Sequence, residues 1–197
     1  GKTEEEWKKE EASRRAARSQ NLRVELARSL MRGKANEAAA AALEEVLLEA
    51  PEHVAALTFA GEAALNREDW KASRAYYERL LKVSPRNGLA ANNLAWILAE
   101  KLGDPARACE VLEPLLSGLH SGKPLAGDRL PPEVLDTAAL VYRKLGQPAG
   151  LERVRILLTD GRRRFTEDPR LALHLGHVLE AQEDFRGARE QYLTAIR

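Results

Sequence analysis

The stretch REDWKASRAYYERLLKVSP, residues 67–85, decides how this chain folds. Its buried-type positions recur every three or four residues, which predicts an amphipathic helix, and its last proline ends that helix. The same pattern stands 34 residues earlier, ahead of another proline. The matching positions are Ala39, Leu43 and Val46 ahead of Pro51, and Ser73, Tyr77 and Leu80 ahead of Pro85.

The stretch also holds Trp70, Tyr76 and Tyr77, although only 5% of the chain is aromatic. Such a stripe is either one layer of a repeating core or an aromatic ligand box. Because Tyr77 occupies a repeated position on the buried face, we predict core packing for it and partial exposure for Tyr76. A small residue, Gly61 or Ala95, follows each proline at the same offset, which indicates a close crossing of two helices.

These spacings resemble the tetratricopeptide repeat, a 34-residue helix-turn-helix unit. The residues that carry the resemblance lie in 54–87 and 169–197, where Leu175-Gly176, Asp184-Phe185, Ala188 and Tyr192 repeat the pattern. The resemblance implies an all-α fold, a tetratricopeptide-type α-α superhelix (solenoid) of about five helical hairpins plus an N-terminal helix. It predicts a single solenoid domain over 20–197, with units at 20–53, 54–87, 88–131, 132–168 and 169–197.

Three of these units are irregular. The unit 88–131 is longer than 34 residues, and one of its extra residues is expected in the internal turn at 101–105. The other extra residues are expected in the loop 117–131. This loop would be able to fold into the groove as a flap. In 132–168, the second helix is expected to be lengthened or broken around 159–161. The last unit would expose an apolar seam at Tyr192, Ala195 and Ile196, which predicts that the natural chain continues or lacks a cap.

Residues 1–19 differ from the rest, because they are rich in both charge signs and hold one large apolar residue, Trp7. Glu4 with Lys8, and Glu5 with Lys9, are pairs of favourable polarity for a helix. We predict a charged, solvated N-terminal helix or linker, leading from a removed anchor or docked on the first unit through Trp7.

Composition excludes several classes of protein. With 31 basic and 30 acidic residues the chain lacks the basic excess of a nucleic-acid binder. No apolar run is long enough to span a membrane, and a single cysteine permits no internal disulfide. We find no phosphate loop, catalytic triad or zinc-protease motif, so neither an enzyme nor a cofactor is expected.

In this repeat family the first helices of successive hairpins line a concave groove in which ligands lie. The resemblance therefore implies a groove that takes a partner peptide or helix. Its predicted residues are Arg28, Glu62, Asn92, Asn93, Trp96, Asp136, Arg143 and His177. Trp96 is either a groove anchor or packed against a neighbouring helix or the long loop. The lysine-asparagine clamp of co-chaperones is absent, since of its positions only Asn93, and Arg28 in part, match.

Three other clusters have structural interpretations. His174 and His177 are helix neighbours with too few further ligands for a metal. Arg162, Arg163 and Arg164 end a helix, where cations are favourable, although a phosphate or acidic partner is an alternative. Cys109 is predicted to be a small buried apolar residue.

The sequence thus predicts a protein-interaction scaffold without nucleic-acid partner, cofactor or metal. A unit with Asn-Asn-Leu-Ala-Trp96 followed by Leu-Asp136-Thr resembles bacterial tetratricopeptide proteins of the cell envelope, which serve secretion or exopolysaccharide assembly. The compartment, periplasmic or cytoplasmic, stays open. Two alternatives remain: self-assembly into a homo-oligomer through the terminal repeats, and glycan binding by Trp96 with Asp136.

Overall fold

The computed structural model describes residues 2–116 and 130–197. Those residues form ten α-helices and no β-strand, so the predicted all-α fold is confirmed. The chain divides into two compact units, Gly1–Ser84 and Pro85–Arg197. Within the described ranges no helix is both long enough and apolar enough to cross a lipid bilayer.

The first unit, Gly1–Ser84, contains two helical hairpins. Each helix packs against its successor, and the first also contacts the third. The core is built from alanine, leucine and valine together with one tyrosine, Tyr77. The helices are α1 (Glu4–Arg32), α2 (Asn36–Glu49), α3 (Val54–Asn66) and α4 (Trp70–Val83).

The second unit, Pro85–Arg197, contains three hairpins. Within it α5 contacts α7, and α7 contacts α9, so the first helices of successive hairpins are neighbours. The helices are α5 (Gly88–Trp96), which continues into a π-helical turn (Ile97–Lys101), then α6 (Pro105–Leu116), α7 (Pro132–Leu145), α8 (Pro148–Arg164), α9 (Pro169–Ala181) and α10 (Phe185–Ile196).

The turns inside the hairpins share one backbone feature. Each places a residue with φ between 60° and 67° directly before the residue that caps the second helix. Aspartate is the cap in three of them, where its carboxylate accepts an amide of the first helical turn. The left-handed residues are Lys34, Glu68, Gly103, Gly146 and Glu183, one for each of the predicted five hairpins.

The close helix crossing predicted at Gly61 is confirmed. A Cβ built on Gly61 would lie 2.6 Å from the ring of Tyr77, which is completely buried. The same relationship recurs at the end of the chain, where a Cβ on Gly176 would lie 2.4 Å from the ring of Tyr192. Tyr77 is therefore a core residue as predicted, and its neighbour Tyr76 is part-exposed.

The extra residue of the third hairpin is not in the turn at 101–105, where the sequence predicted it. It widens the end of α5 instead, because the amide of Leu102 donates to the carbonyl of Ile97 at 3.0 Å, one residue further back than in an α-helix. Asp104 then caps α6 as its counterparts cap the other second helices. The insertion is thus absorbed as a π-helical turn.

Helix α1 begins with a capping box formed by Thr3 and Glu6 and runs without a break past residue 19. Its first part is solvated as predicted, with ion pairs such as Lys8 to Glu4 at 2.6 Å. Docking through Trp7 is not seen, because this side chain is 55% exposed. The region around residues 159–161 belongs to the continuous 17-residue α8, so that helix is lengthened and not broken. The predicted flap, residues 117–131, lies outside the described residues except for its last two.

Candidate functional site

The predicted groove residues fall in both compact units. Arg28 on α1 and Glu62 on α3 belong to Gly1–Ser84, and the guanidinium of Arg28 lies 3.8 Å from Glu25 on its own helix. The other six belong to α5, α7 and α9 of Pro85–Arg197. We call the part-exposed polar residues of these three helices the first-helix face: Asn92, Asn93, Trp96, Asp136, Arg143, Arg170, His174 and His177.

On α5, two amides and an indole form the first part of this face. The Nδ2 group of Asn92 donates to Oδ1 of Asn93 at 3.4 Å, whereas Oδ1 of Asn92 is enclosed and accepts no hydrogen bond. Trp96 is half-buried, and Nζ of Lys101 lies 5.2 Å from the centre of its ring, within range of a cation–π interaction. The indole is thus neither deep in the core nor fully in solvent.

On α7, the carboxylate of Asp136 is largely removed from water, and neighbouring cations compensate its negative charge only weakly. Its side chain is 17% exposed, and its Oδ2 atom lies 3.4 Å from Nη1 of Arg170 on α9. Its Oδ1 atom lies 3.7 Å from Nε2 of His174, which is beyond hydrogen-bonding range. Burial raises the pKa of Asp136 to about 6, against the opposing effect of Arg170.

Arg170 is shared among three carboxylates. It makes its tightest contact with Asp168, at 2.6 Å, and lies 3.6 Å from Glu133 besides its contact with Asp136. Asp168 also caps α9 by accepting the amide of Arg170. The hydrogen bond from Arg170 lowers the pKa of Asp168, so the guanidinium compensates that carboxylate first and Asp136 less.

The two imidazoles of α9 are neutral at pH 7. Burial, with help from the charge of Arg143, lowers the pKa of His174 to about 4 and also lowers the pKa of His177. The ring of His177 packs edge-on against Tyr192, with 5.5 Å between ring centres. The Tyr192 hydroxyl donates to Glu180 at 2.7 Å, and burial together with this bond raises the tyrosine pKa to about 12.

Unpartnered polar atoms are concentrated on this face. Among the described residues, six buried side-chain nitrogen or oxygen atoms have no hydrogen-bond partner, and four of them belong to α5, α7 and α9. Folded proteins satisfy most such atoms, so a cluster of exceptions indicates a functional region. The four atoms are Asn92 Oδ1, Asp136 Oδ1, His174 Nδ1 and His177 Nδ1.

Sequence reasoning did not assign three residues around Asp136 to the groove. His174 was interpreted as a structural or solvent-exposed histidine after a metal site was rejected, and Asp168 and Arg170 were not considered. The signal that would have found them is Asp168-Pro-Arg170 at the start of a first helix, because an N-cap aspartate and a nearby arginine pair readily. In the part of the chain that the structure describes, no three His, Cys, Asp or Glu residues are arranged to hold a metal ion.

The cysteine and the arginine cluster that the sequence analysis considered make contacts with other side chains of this chain. Cys109 is half-buried and not enclosed as predicted, and its hydrogen bond with Tyr142 adds to burial in raising the pKa of that tyrosine. At the end of α8, Arg162 bonds to Gln191 and Arg164 bonds to Asp160. Two of the three arginines of this cluster are therefore held by side chains of the chain itself.

Comparison with known proteins agrees with this architecture. The family profile of the tetratricopeptide repeat matches residues 24–76 and 60–117. MamA (41-end) from Desulfovibrio magneticus RS-1 has a similar structure, with 18% identity, a TM-score of 0.73, and coverage of 90% of this chain and 93% of that one. For Pseudomonas aeruginosa PilF the identity is 18% and the TM-score 0.65, over 92% of this chain and 77% of that one.

A third similar structure is YrrB, described as a tetratricopeptide protein with an unusual peptide-binding site. It shares 18% identity and a TM-score of 0.66, over 88% of this chain and 83% of that one. The comparison with curated proteins found no sequence match. Identities of this size define the fold alone.

Stacked antiparallel helix pairs with a repeated small-residue crossing and a repeated capped turn define a class, the helical-hairpin repeat proteins. The 34-residue spacing and the profile match narrow that class. Residues 24–117 of this chain match the tetratricopeptide repeat family, and the described helices have the tetratricopeptide solenoid fold.

Proposed function

We propose that this chain is a non-catalytic protein-interaction scaffold that binds a peptide segment of a partner on the first-helix face of Pro85–Arg197. The observation that carries the proposal is the cluster of four buried, unpartnered polar atoms on α5, α7 and α9. Leaving such an atom without a hydrogen bond costs about 1–3 kcal/mol, so a ligand that supplies the missing partner gains affinity.

The side chains that own these atoms are accessible to a ligand. Asn92, Asp136, His174 and His177 are all part-exposed, and the terminal torsion of each of these side-chain types is soft. A small rotation therefore brings the enclosed atom to the surface. The side-chain oxygens of Asn92 and Asp136 accept hydrogen bonds, whereas a neutral imidazole nitrogen donates or accepts according to its tautomer. A peptide backbone satisfies both kinds of group, because it carries amide donors and carbonyl acceptors.

Trp96 provides the apolar part of the same face. A half-buried indole covers an apolar side chain of a partner at little entropic cost, which is why tryptophan is enriched among residues that dominate binding. YrrB, whose structure is similar, is described as having a peptide-binding site. This likeness supports a peptide as the ligand class, and the partner's identity is not specified by it.

The cellular setting we propose is assembly of a bacterial envelope structure. It is supported by the resemblance of the Asn-Asn-Leu-Ala-Trp96 unit to bacterial envelope proteins. The similar fold of PilW, described as a widely conserved type IV pilus biogenesis factor, is in line with it at a TM-score of 0.67 and 18% identity. Of the two alternatives, self-assembly is tested by light scattering over a concentration series, and glycan binding by a titration followed through tryptophan fluorescence.

The test is a random 12-residue peptide library panned on the full chain, with the enriched peptides synthesised and titrated by fluorescence anisotropy. We expect the Asn92→Ala/Trp96→Ala variant to lose at least about tenfold in affinity. The matched control is Asn21→Ala/Trp7→Ala. It removes the same two residue types from exposed positions on α1, which is not part of the first-helix face.

Equal binding by both variants would move the site away from the first-helix face. Failure to enrich any peptide would refute peptide binding. Circular dichroism of each variant at the titration temperature establishes that helix content is unchanged.

A further inference from the structure

The first-helix face carries two charged positions on one helix, Asp136 and Arg143 of α7. They are separated by two helical turns, so they lie on the same side of the helix at about 10.5 Å along its axis. Carboxylates outnumber cations around Asp136, whereas Arg143 is a cation that forms no ion pair among the described residues. This difference identifies the kind of peptide segment that the face fits.

The Asp136 end has an excess of negative charge. Three carboxylates, Glu133, Asp136 and Asp168, surround the single guanidinium of Arg170. His174 lies beside Asp136 but is neutral at pH 7, so it does not balance the carboxylate. The best-placed compensation for a part-buried carboxylate is a further ammonium or guanidinium group that donates hydrogen bonds to it.

The Arg143 end has the opposite character. None of the ion pairs found among residues 2–116 and 130–197 involves Arg143, although its charge acts on His174, His177 and Tyr192. Glu180, the carboxylate that acts on His177 and Tyr192, already accepts the hydroxyl of Tyr192 at 2.7 Å. This guanidinium is part-exposed and has no carboxylate within ion-pair distance among the described residues, so it fits an acidic side chain or a terminal carboxylate of a partner.

We propose that the partner segment is recognised by a pair of opposite charges, a basic side chain at Asp136 and a carboxylate at Arg143. A peptide in the polyproline II conformation advances about 3.1 Å per residue with three residues per turn, so partner residues three positions apart face the same side at about 9 Å, close to the spacing of Asp136 and Arg143. The proposal rests on the peptide-binding function above and adds to it the spacing and sign of the partner's side chains.

Arg170 and Arg143 have separate roles in this scheme. Arg170 is held by Asp168 and stays in place as part of the acidic end. Arg143 remains available to the ligand. The two neutral imidazoles lie between the two ends and supply hydrogen bonds to the peptide backbone without adding charge.

The test uses synthetic peptides of glycine, serine and alanine that carry one lysine and one glutamate one, three or six positions apart. Binding to the full chain is followed by the NMR chemical shifts of the His174 and His177 rings. We expect the peptide with a separation of three to bind about fivefold or more tightly than the other two. Changing its lysine to glutamine should weaken binding to the wild type but not to Asp136→Asn. Changing its glutamate to glutamine should weaken binding to the wild type but not to Arg143→Gln.

Arg186→Gln and Glu190→Gln, which alter an exposed pair on α10, serve as matched controls and should retain the preference of the wild type. Equal affinities across the three separations, or charge effects that persist in Asp136→Asn and Arg143→Gln, would overturn the proposal. Library peptides that bind the first-helix face without such a charge pair would overturn it and leave the scaffold function standing. If no peptide of either kind binds, both proposals fail.

Discussion

The imidazole of His174 lies 3.7 Å from the carboxylate of Asp136, and burial displaces the pKa values of the two groups in opposite senses. Neither group carries its usual charge state across mildly acidic pH, because the surroundings disfavour both charged forms. Around them stand Glu133 on α7 and Asp168, Arg170 and His177 on α9, with Arg143 acting on both imidazoles.

This relationship predicts opposing pH dependences of stability. The folded-state pKa of Asp136 is raised from 3.8 to about 6, so its contribution to stability falls as pH rises through that window. The folded-state pKa of His174 is lowered from 6.5 to about 4, so its contribution rises with pH over nearly the same window. The two contributions largely cancel in the wild type.

Single substitutions should reveal each contribution. Relative to the wild type, Asp136→Asn should gain unfolding free energy as pH rises from 4 to 6, by up to about 1 kcal/mol per pH unit. His174→Gln should show the opposite trend. Urea denaturation at several pH values measures both, and parallel curves for the wild type and the two variants would contradict the prediction.

The contact between Gly61 and Tyr77 predicts that the helix crossing tolerates no added methyl group. Gly61→Ala places a Cβ 2.6 Å from the ring, and overpacking of this kind costs about 1–3 kcal/mol of unfolding free energy. Gly88→Ala is the matched control, because no atom lies within 4 Å of its new Cβ. Alanine has the higher helix propensity, so Gly88→Ala should be neutral or stabilising, and a Gly61→Ala variant that behaves in the same way would contradict the predicted clash.

Arg153 should couple α6 to α8 measurably. Its guanidinium donates to both carboxylate oxygens of Glu113, at 2.7 and 3.0 Å, and to the hydroxyl of Tyr142 at 3.0 Å. A double-mutant cycle with Arg153→Met and Glu113→Gln should give a coupling free energy of about 1 kcal/mol, since the arginine is largely buried. The exposed pair Arg186 and Glu190, at 3.9 Å, should give almost none in the same experiment.

Trp96 is predicted to act in binding more than in folding. Trp96→Ala should weaken partner-peptide binding by about 1–3 kcal/mol and leave helix content intact. Anisotropy titration and circular dichroism measure the two effects on one sample, with Trp7→Ala as the control indole. Loss of stability without a separate loss of affinity would show that Trp96 is a core residue.

Much of the fold is present in local sequence spacing. The recurrence of Pro51 and Pro85, and of Gly61 sixteen residues before Tyr77, follows from one repeat unit that buries the same positions each time. The fold of a repeat protein can be predicted well from its sequence because each unit contacts mainly its neighbours. The confirmed core position of Tyr77 required nothing beyond this regularity.

The polar cluster could not be predicted in the same way. Asp136 and His174 meet only because α7 and α9 have a particular rotation relative to each other. The lengthened α8, whose continuity the sequence pattern left open, packs against both of these helices. Desolvation, which sets the pKa values of both groups, is likewise a property of the packed structure and has no counterpart in residue spacing.

The π-helical turn at Ile97–Lys101 gives this hairpin a place to hold one residue more than the standard repeat. Ala95 and Pro105 are one residue further apart than Gly61 and Trp70, and the wide turn holds that surplus while Asp104 still caps its helix. The extra residue is thus accommodated within one turn, and the cap of α6 is kept. Deleting one residue there should restore an ordinary α-helix, so we expect this turn to tolerate a one-residue change in chain length without loss of the hairpin.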